Sequence, residues 1–131
     1  MSQGKIMLVD DDADIGYIMK SFLEAKKYVV ESYSNPILAL EQFKASPRDY
    51  VLVIADIRMP GMTGIELGNE ITKIAPNTKI LYMSSFDITP LEFSKIAPSK
   101  LKDDFLQKPA RLNELYDKVK TQLGDDEGQK Q

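Results

Sequence analysis

The amino-acid sequence predicts a doubly wound α/β domain, a five-stranded parallel sheet with helices on both faces. Three observations carry that prediction. The strongest strand candidates are continuous apolar runs, not alternating ones, as expected for strands covered on both sides. Segments of helical period separate them, and the connections are short, which is the pattern of right-handed βαβ crossovers.

The elements follow in order. Ile6-Met7-Leu8-Val9 is the first strand candidate and ends at the acidic run Asp10-Asp11-Asp12. Ile15, Ile18, Met19, Phe22 and Leu23 then recur at i, i+3, i+4, i+7 and i+8, predicting a first helix with that apolar face. Tyr28-Val29-Val30-Glu31-Ser32-Tyr33 reads as a weaker strand at a less buried sheet position. Asn35-Pro36 supplies an N-cap and a proline at the first helical position, Ala39, Leu40 and Phe43 form the inward stripe, and Pro47 stops the second helix. Val51-Leu52-Val53-Ile54-Ala55 is the third strand. Thr63-Gly64 opens a third helix with Leu67, Ile71, Ile74 and Ala75 on its apolar face, closed by Pro76-Asn77. Lys79-Ile80-Leu81-Tyr82-Met83 is the fourth strand and Phe105-Leu106 a weak fifth. Between them, Pro90 and Pro98 bracket a short or irregular helical stretch over residues 91–97. Leu112, Leu115, Tyr116, Val119 and Leu123 define the last helix, with Gly124 as its stop. The polar remainder, residues 124–131, has no large apolar side chain and is expected to be a flexible tail after a domain over residues 1–123.

Composition narrows function by exclusion. The chain has 131 residues, 43% of them hydrophobic, enough for one domain with a self-sufficient core. It holds no Cys and no His, which excludes disulfides, thiolate or imidazole metal sites, and every catalytic triad that needs an imidazole. Net charge is −3, from 17 Lys+Arg against 20 Asp+Glu, so no broad basic field draws in nucleic acid. Met1 to Lys5 lead into a run of only four apolar residues before Asp10, too short for a signal peptide or spanning helix, so a soluble cytoplasmic protein without membrane insertion is expected.

Open parallel sheets place their sites beyond the carboxyl ends of the strands. There stand Asp10, Asp11 and Asp12, then Asp56, then Ser84 and Ser85, then Lys108. Two carboxylates about 4 Å apart repel by roughly 4 kcal/mol at an effective dielectric near 20, so Asp10, Asp11 and Asp56 together call for a cation. With only oxygen ligands available, magnesium suits them. Each residue alone has a plainer use. Asp11 or Asp12 suits a helix N-cap, Asp56 a turn before Pro60-Gly61, the serines a loop, and Lys108 a solvated strand end.

Taken together, these segments resemble the receiver domain of two-component response regulators over about residues 5–123. Val9-Asp10-Asp11-Asp12 is similar to that family's acidic pair, and Ala55-Asp56-Ile57-Arg58-Met59-Pro60-Gly61-Met62-Thr63-Gly64 to its phosphoacceptor loop. Met83-Ser84-Ser85 resembles the hydroxyl-plus-small-residue pair after the fourth strand, and Asp103-Asp104-Phe105-Leu106-Gln107-Lys108-Pro109 the fifth-strand segment with its aromatic switch and Lys-Pro. The resemblance implies a flavodoxin-like (βα)5 fold and a phosphoacceptor role. By that resemblance Asp56 would take a phosphoryl group from a phosphohistidine on a histidine kinase or phosphotransfer protein. Asp11, Asp56, the Arg58 carbonyl and a water held by Asp10 would ligate Mg2+, while Lys108 pairs with a phosphoryl oxygen. Ser84 and Phe105 would form the switch, the phenylalanine replacing the tyrosine of many relatives, and Lys108-Pro109 would be cis. Asp12, a third acid, is expected to cap the first helix. Arg58, Ser85 and Phe86 flank the phosphoryl position, and long Arg58 and bulky Phe86 are expected to hinder the attacking water and prolong phosphoryl lifetime. Slow autodephosphorylation is expected, not conventional turnover. The helical stretch at 91–97, the fifth strand and the last helix form the expected face for a downstream target.

The stretch from Asp87 to Lys102 departs from the family in lacking the usual Gly-Ala pair. No effector domain follows the last helix, so a stand-alone module is expected, and the initiating methionine and polar tail favour a complete chain over an excised piece. Three alternatives compete. A phosphorylation-independent scaffold would keep the fold without the chemistry. A haloacid-dehalogenase-like hydrolase would need an acid two residues after the nucleophile, where this chain has Arg58. A flavodoxin-like cofactor binder fails on charge, since three aspartates would repel its phosphate.

Overall fold

A strand with two apolar faces must be covered on both sides, and the architecture meets that demand. The computed structural model describes residues 4–84, 91, 105–108 and 111–124. Its elements are β1 (Lys5–Val9), α1 (Ala13–Ala25), β2 (Val29–Tyr33), α2 (Pro36–Ala45), a 3-10 turn (Pro47–Asp49), β3 (Tyr50–Asp56), α3 (Gly64–Ile74), β4 (Lys79–Ser84), β5 (Phe105–Gln107) and α4 (Leu112–Leu123). The strands form one sheet in the order β2-β1-β3-β4-β5, with every pairing parallel. The predicted doubly wound sheet is thus present, and the two weak strands occupy its edges. The proposed helical stretch at 91–97 lies outside the described residues apart from Leu91, which is helical and exposed. The tail beyond Gly124 also lies outside them.

Alternate side chains of the central strands feed two apolar clusters. Met7, Val9, Val53 and Ala55 pack with Ala39, Leu40 and Phe43 of α2 and Leu67 and Ile71 of α3. Ile6, Leu8, Leu52 and Ile54 pack with Met19 and Leu23 of α1 and Leu115 and Val119 of α4. Helix α1 corrects one expectation: Ile18, placed on its apolar face, is 52% exposed, and Gly16 is buried beside the expected Met19 and Leu23. The reason is close approach. A Cβ on Gly16 would stand 3.0 Å from Ser32 Oγ, so the helix rests on its glycine and turns Ile18 to the outside. Ile74 likewise sits at the edge of α3, 37% exposed.

Local signals explain the helix ends. Asp12 caps α1, its Oδ1 accepting from the amides of Asp14 and Ile15 at 3.1 and 3.2 Å, as expected for the third acid. Asn35 caps α2 in the same way. Thr63 and Glu66 form a reciprocal capping box on α3. Gly124 ends α4 in the left-handed conformation at φ +72°. Lys27 occupies that conformation after α1, at φ +78°, in a turn closed by Tyr28 N–H donating to Leu23 O at 3.2 Å.

A polar network lies across β1, β2 and β3. Glu31 accepts from Lys5 Nζ at 2.9 Å, Tyr50 OH at 2.6 Å and Tyr33 OH at 3.2 Å. The Tyr50 and Lys5 hydrogen bonds outweigh partial burial and hold the Glu31 carboxyl below its usual value. Burial, followed by the bond to Glu31, pushes the Tyr50 phenol well above its own.

Candidate functional site

Strand order reverses between β1 and β3, and in open α/β sheets that crevice collects ligands. Asp10 and Asp11 follow β1, and Asp56 is the last residue of β3, a position one residue inside the strand expected to precede it. One carboxylate oxygen from each of Asp10, Asp11 and Asp56 can lie within 4.8 Å of the others. Asp10 and Asp56 are buried while Asp11 is exposed, so the cluster opens to solvent on one side.

Lys108, directly after β5, supplies the opposing charge. Its Nζ lies 3.0 Å from Asp10 Oδ2 and 3.2 Å from Asp56 Oδ2, the ammonium shared between two carboxylates. Its backbone amide donates to Ser84 O, tying the end of β5 to the end of β4. Asp10 is held from two further sides. Its amide donates to Tyr33 O at 3.1 Å, and its Oδ1 accepts from the Asp12 amide at 2.9 Å. Asp56 Oδ1 receives a long contact of 3.4 Å from the Arg58 amide.

These partners leave Asp56 under-supported as an anion. Burial pushes its carboxyl above the usual range, Lys108 pulls it down, and the neighbouring Asp10 pushes it up again, with a net upward shift. Burial also opposes the charge on Lys108, but the hydrogen bond and attraction from Asp10, with help from Asp56, hold that ammonium above its usual value. The pair of buried acids therefore has room for more positive charge than one lysine supplies.

Ser84 ends β4 fully buried, and its Oγ has no hydrogen-bond partner among the described residues. A buried hydroxyl without a partner costs about 1–3 kcal/mol and marks a group waiting for one. Phe105 is buried in the cluster beneath α2 and α3, opposite Tyr82 in the β4–β5 register. Gly64 stands close behind the site. A Cβ there would overlap the Asp56 carbonyl, and the Gly64 amide donates to Ile57 O at 2.8 Å, which seats α3 against the end of β3. That contact has no signature in spacing or periodicity.

Of the predicted site residues, Asp10, Asp11, Asp56 and Lys108 are brought together. Ser84 stands beside them at the next strand end, bonded to Lys108 through its backbone carbonyl while its Oγ bonds to none of them, and Arg58 reaches Asp56 through its amide while its side chain is exposed. Ser85, Phe86 and Pro109 lie outside the described residues. The donor set fits a hard divalent cation: all-oxygen, two buried carboxylates and one exposed, with no thiolate or imidazole anywhere in the chain.

Comparison with known proteins agrees with this geometry. The family model for the response regulator receiver domain matches residues 6–120. Response regulator receiver protein CpdR of Brucella abortus is 33% identical over 119 residues, covering 91% of this chain and 96% of that protein. A transcriptional regulatory protein CpxR homolog of Haemophilus influenzae is 31% identical over 120 residues, again 91% of this chain but only 50% of that longer relative. Among solved structures, a CheY-like receiver domain protein from Methanospirillum hungatei superimposes with TM-score 0.78 at 27% identity, covering 98% of this chain and 99% of that one. The chain belongs to the response regulator receiver domain family of two-component signalling. Receiver domains interact with histidine kinases or phosphotransfer proteins and bind Mg2+ at an acidic cluster of the kind that Asp10, Asp11 and Asp56 form. No helix among the described residues is long and apolar enough to cross a membrane.

Proposed function

We propose that this chain is a cytoplasmic phosphoacceptor, with residues 1–123 as the receiver and Asp56 as its nucleophile. The observation that carries the reading is the shared Lys108 ammonium between two buried carboxylates, beside a buried serine hydroxyl with no partner among the described residues. An Asp56 carboxylate oxygen attacks the phosphorus of a phosphohistidine on a kinase or phosphotransfer protein. A P–O bond forms, the P–N bond breaks, and the leaving imidazole takes its proton from solvent. Such transfer is chiefly positioning and charge neutralisation.

Asp11, Asp56 and the Arg58 carbonyl, with Asp10 acting through a water, would hold Mg2+, which supplies charge neutralisation for the incoming phosphoryl oxygens when bound. Lys108 moves from a carboxylate oxygen to a phosphoryl oxygen and keeps its charge compensated throughout. Ser84 Oγ donates to another phosphoryl oxygen, drawing the end of β4 inward, and Phe105 fills the space released. The stretch around residues 91–97, β5 and α4 then present the altered surface to a downstream protein. Arg58 and Phe86 shield the acyl phosphate from water, so Arg58→Asn and Phe86→Ala raise the autodephosphorylation rate. A rate unchanged or lowered in both removes that shielding role.

The direct test is intact-mass measurement after incubation with acetyl phosphate or phosphoramidate and magnesium, comparing the chain with its Asp56→Asn variant. Gain of one phosphoryl mass by the unaltered chain alone is expected. No adduct, with no thermal stabilisation by magnesium, favours the phosphorylation-independent scaffold.

A further inference from the structure

At the end of the sheet remote from Asp56, a groove of about 990 Å³ runs between the 3-10 turn, the starts of β3 and β4, and the ends of α3 and α4. Its wall includes the apolar side chains of Val51, Ile74 and Leu123, and its charged members are Arg48 and Lys79. Among the described residues no aspartate or glutamate lines it, in a chain whose net charge is −3. Both cations are exposed and neither has an ion-pair partner among the described residues. Asp49, the acid adjoining Arg48 in sequence, acts on Lys5 and is not in the groove wall.

Gly124 is itself part of that wall, and its left-handed conformation ends α4 there. The next three residues are Asp125, Asp126 and Glu127. At about 3.3–3.6 Å per residue, three residues can reach at most roughly 10 Å from Gly124. A tether this short keeps their effective concentration at the millimolar level or above.

From this charge complementarity and tethering we infer that the acidic segment Asp125–Glu127 docks on the groove, clasping the end of α4 to Arg48 and Lys79. The inference concerns the end of the sheet away from the phosphoacceptor and does not depend on it. The carbonyl ends of α3 and α4 also face this region, and a cation there is favourable without any tail. The two accounts differ in sign. If Arg48 and Lys79 serve only the helix ends, three acids just past α4 oppose its dipole, and neutralising them stabilises the fold.

The test uses the full chain and a triple variant, Asp125→Asn with Asp126→Asn and Glu127→Gln. At low ionic strength the clasp predicts a Tm lower by about 1–4 °C, from exposed ion pairs worth a fraction of a kcal/mol each in a domain of this size. The difference disappears at high salt and is absent when Arg48→Ala and Lys79→Ala are already present. Amide resonances of Val51, Thr78 and Lys79 shift between the chain and the variant. An equal or higher Tm in the variant, or unshifted groove resonances, overturns the proposal.

Discussion

Two carboxylate clusters share this sheet, and they are built to opposite standards. Glu31, on the edge strand β2, accepts from an ammonium and two phenols, and its proton affinity falls accordingly. Asp56, near the middle of the same sheet, is more deeply buried and shares a single lysine with Asp10, and its proton affinity rises. The Glu31 cluster is complete without any further group. The Asp56 cluster is not, and its shortfall lies in positive charge at the strand ends where a ligand arrives. Incomplete compensation of a buried group points to function, whereas complete compensation points to architecture.

The largest expected effect comes from removing the shared cation. Lys108→Ala leaves Asp10 and Asp56 facing each other without compensation, and the fold should lose about 3–5 kcal/mol in magnesium-free urea denaturation. Millimolar magnesium should return part of that loss. If Lys108→Ala costs less than about 1 kcal/mol, the two acids are not coupled as the geometry requires. Glu31→Gln comes next, with an expected loss of about 1–3 kcal/mol, because it keeps the shape but weakens acceptance from Tyr50 and Lys5. Magnesium should leave that loss unchanged, which separates the two clusters in one pair of titrations.

Asp56→Asn carries the opposite sign. It removes one of two mutually repelling buried charges while Lys108 keeps Asp10, so the magnesium-free fold should gain about 1 kcal/mol. The same variant should lose part of the stabilisation that magnesium confers on the unaltered chain, which is about 1.4 kcal/mol at ten times Kd. The pH dependence follows from the two shifts. Glu31, lowered in the fold, contributes stability that is present above the ordinary carboxylate value and is lost as pH falls through its folded value. Asp56, raised in the fold, contributes stability that is present below the ordinary value and is lost as pH rises through its folded value. Across the carboxylate range, then, Glu31→Gln should flatten the acid-side loss and Asp56→Asn the loss on the higher side. Magnesium-free denaturation midpoints against pH, measured for the chain and both variants, check this.

The comparison also shows what could be foreseen from sequence. Continuous apolar runs announced the central strands because both faces of β1, β3 and β4 are covered. Charged and hydroxyl residues at their ends announced Asp10, Asp11, Asp56, Ser84 and Lys108, since a parallel sheet delivers its strand ends to one edge. The Glu31 cluster was not legible. Lys5 and Tyr50 are far in the chain from Glu31 and Tyr33, which share β2, and each suits a half-buried strand position, so only the register of β1 against β2 and β3 reveals their meeting. Close approach was hidden for a similar reason. Gly16 displacing Ile18 from the inner face of α1, and Gly64 seating against Asp56, depend on distances between elements, which periodicity within one element does not contain.

Ser84→Ala gives the smallest and sharpest contrast. The hydroxyl is buried without a partner among the described residues, so its removal should cost nothing and raise stability by up to about 1 kcal/mol in the absence of magnesium and phosphodonor. Any buried serine bonded as Glu31 is bonded would behave in the opposite way. If Ser84 waits for a phosphoryl oxygen, the variant should still accept a phosphoryl group on Asp56, yet the amide resonances of Phe105, Leu106 and α4 should respond to phosphorylation much less than in the unaltered chain. Higher stability with a full phosphorylation response would make Ser84 a packing defect and move the switch elsewhere. Lower stability would mean that Oγ has a partner after all, and the contrast with Glu31 would not extend to the end of β4.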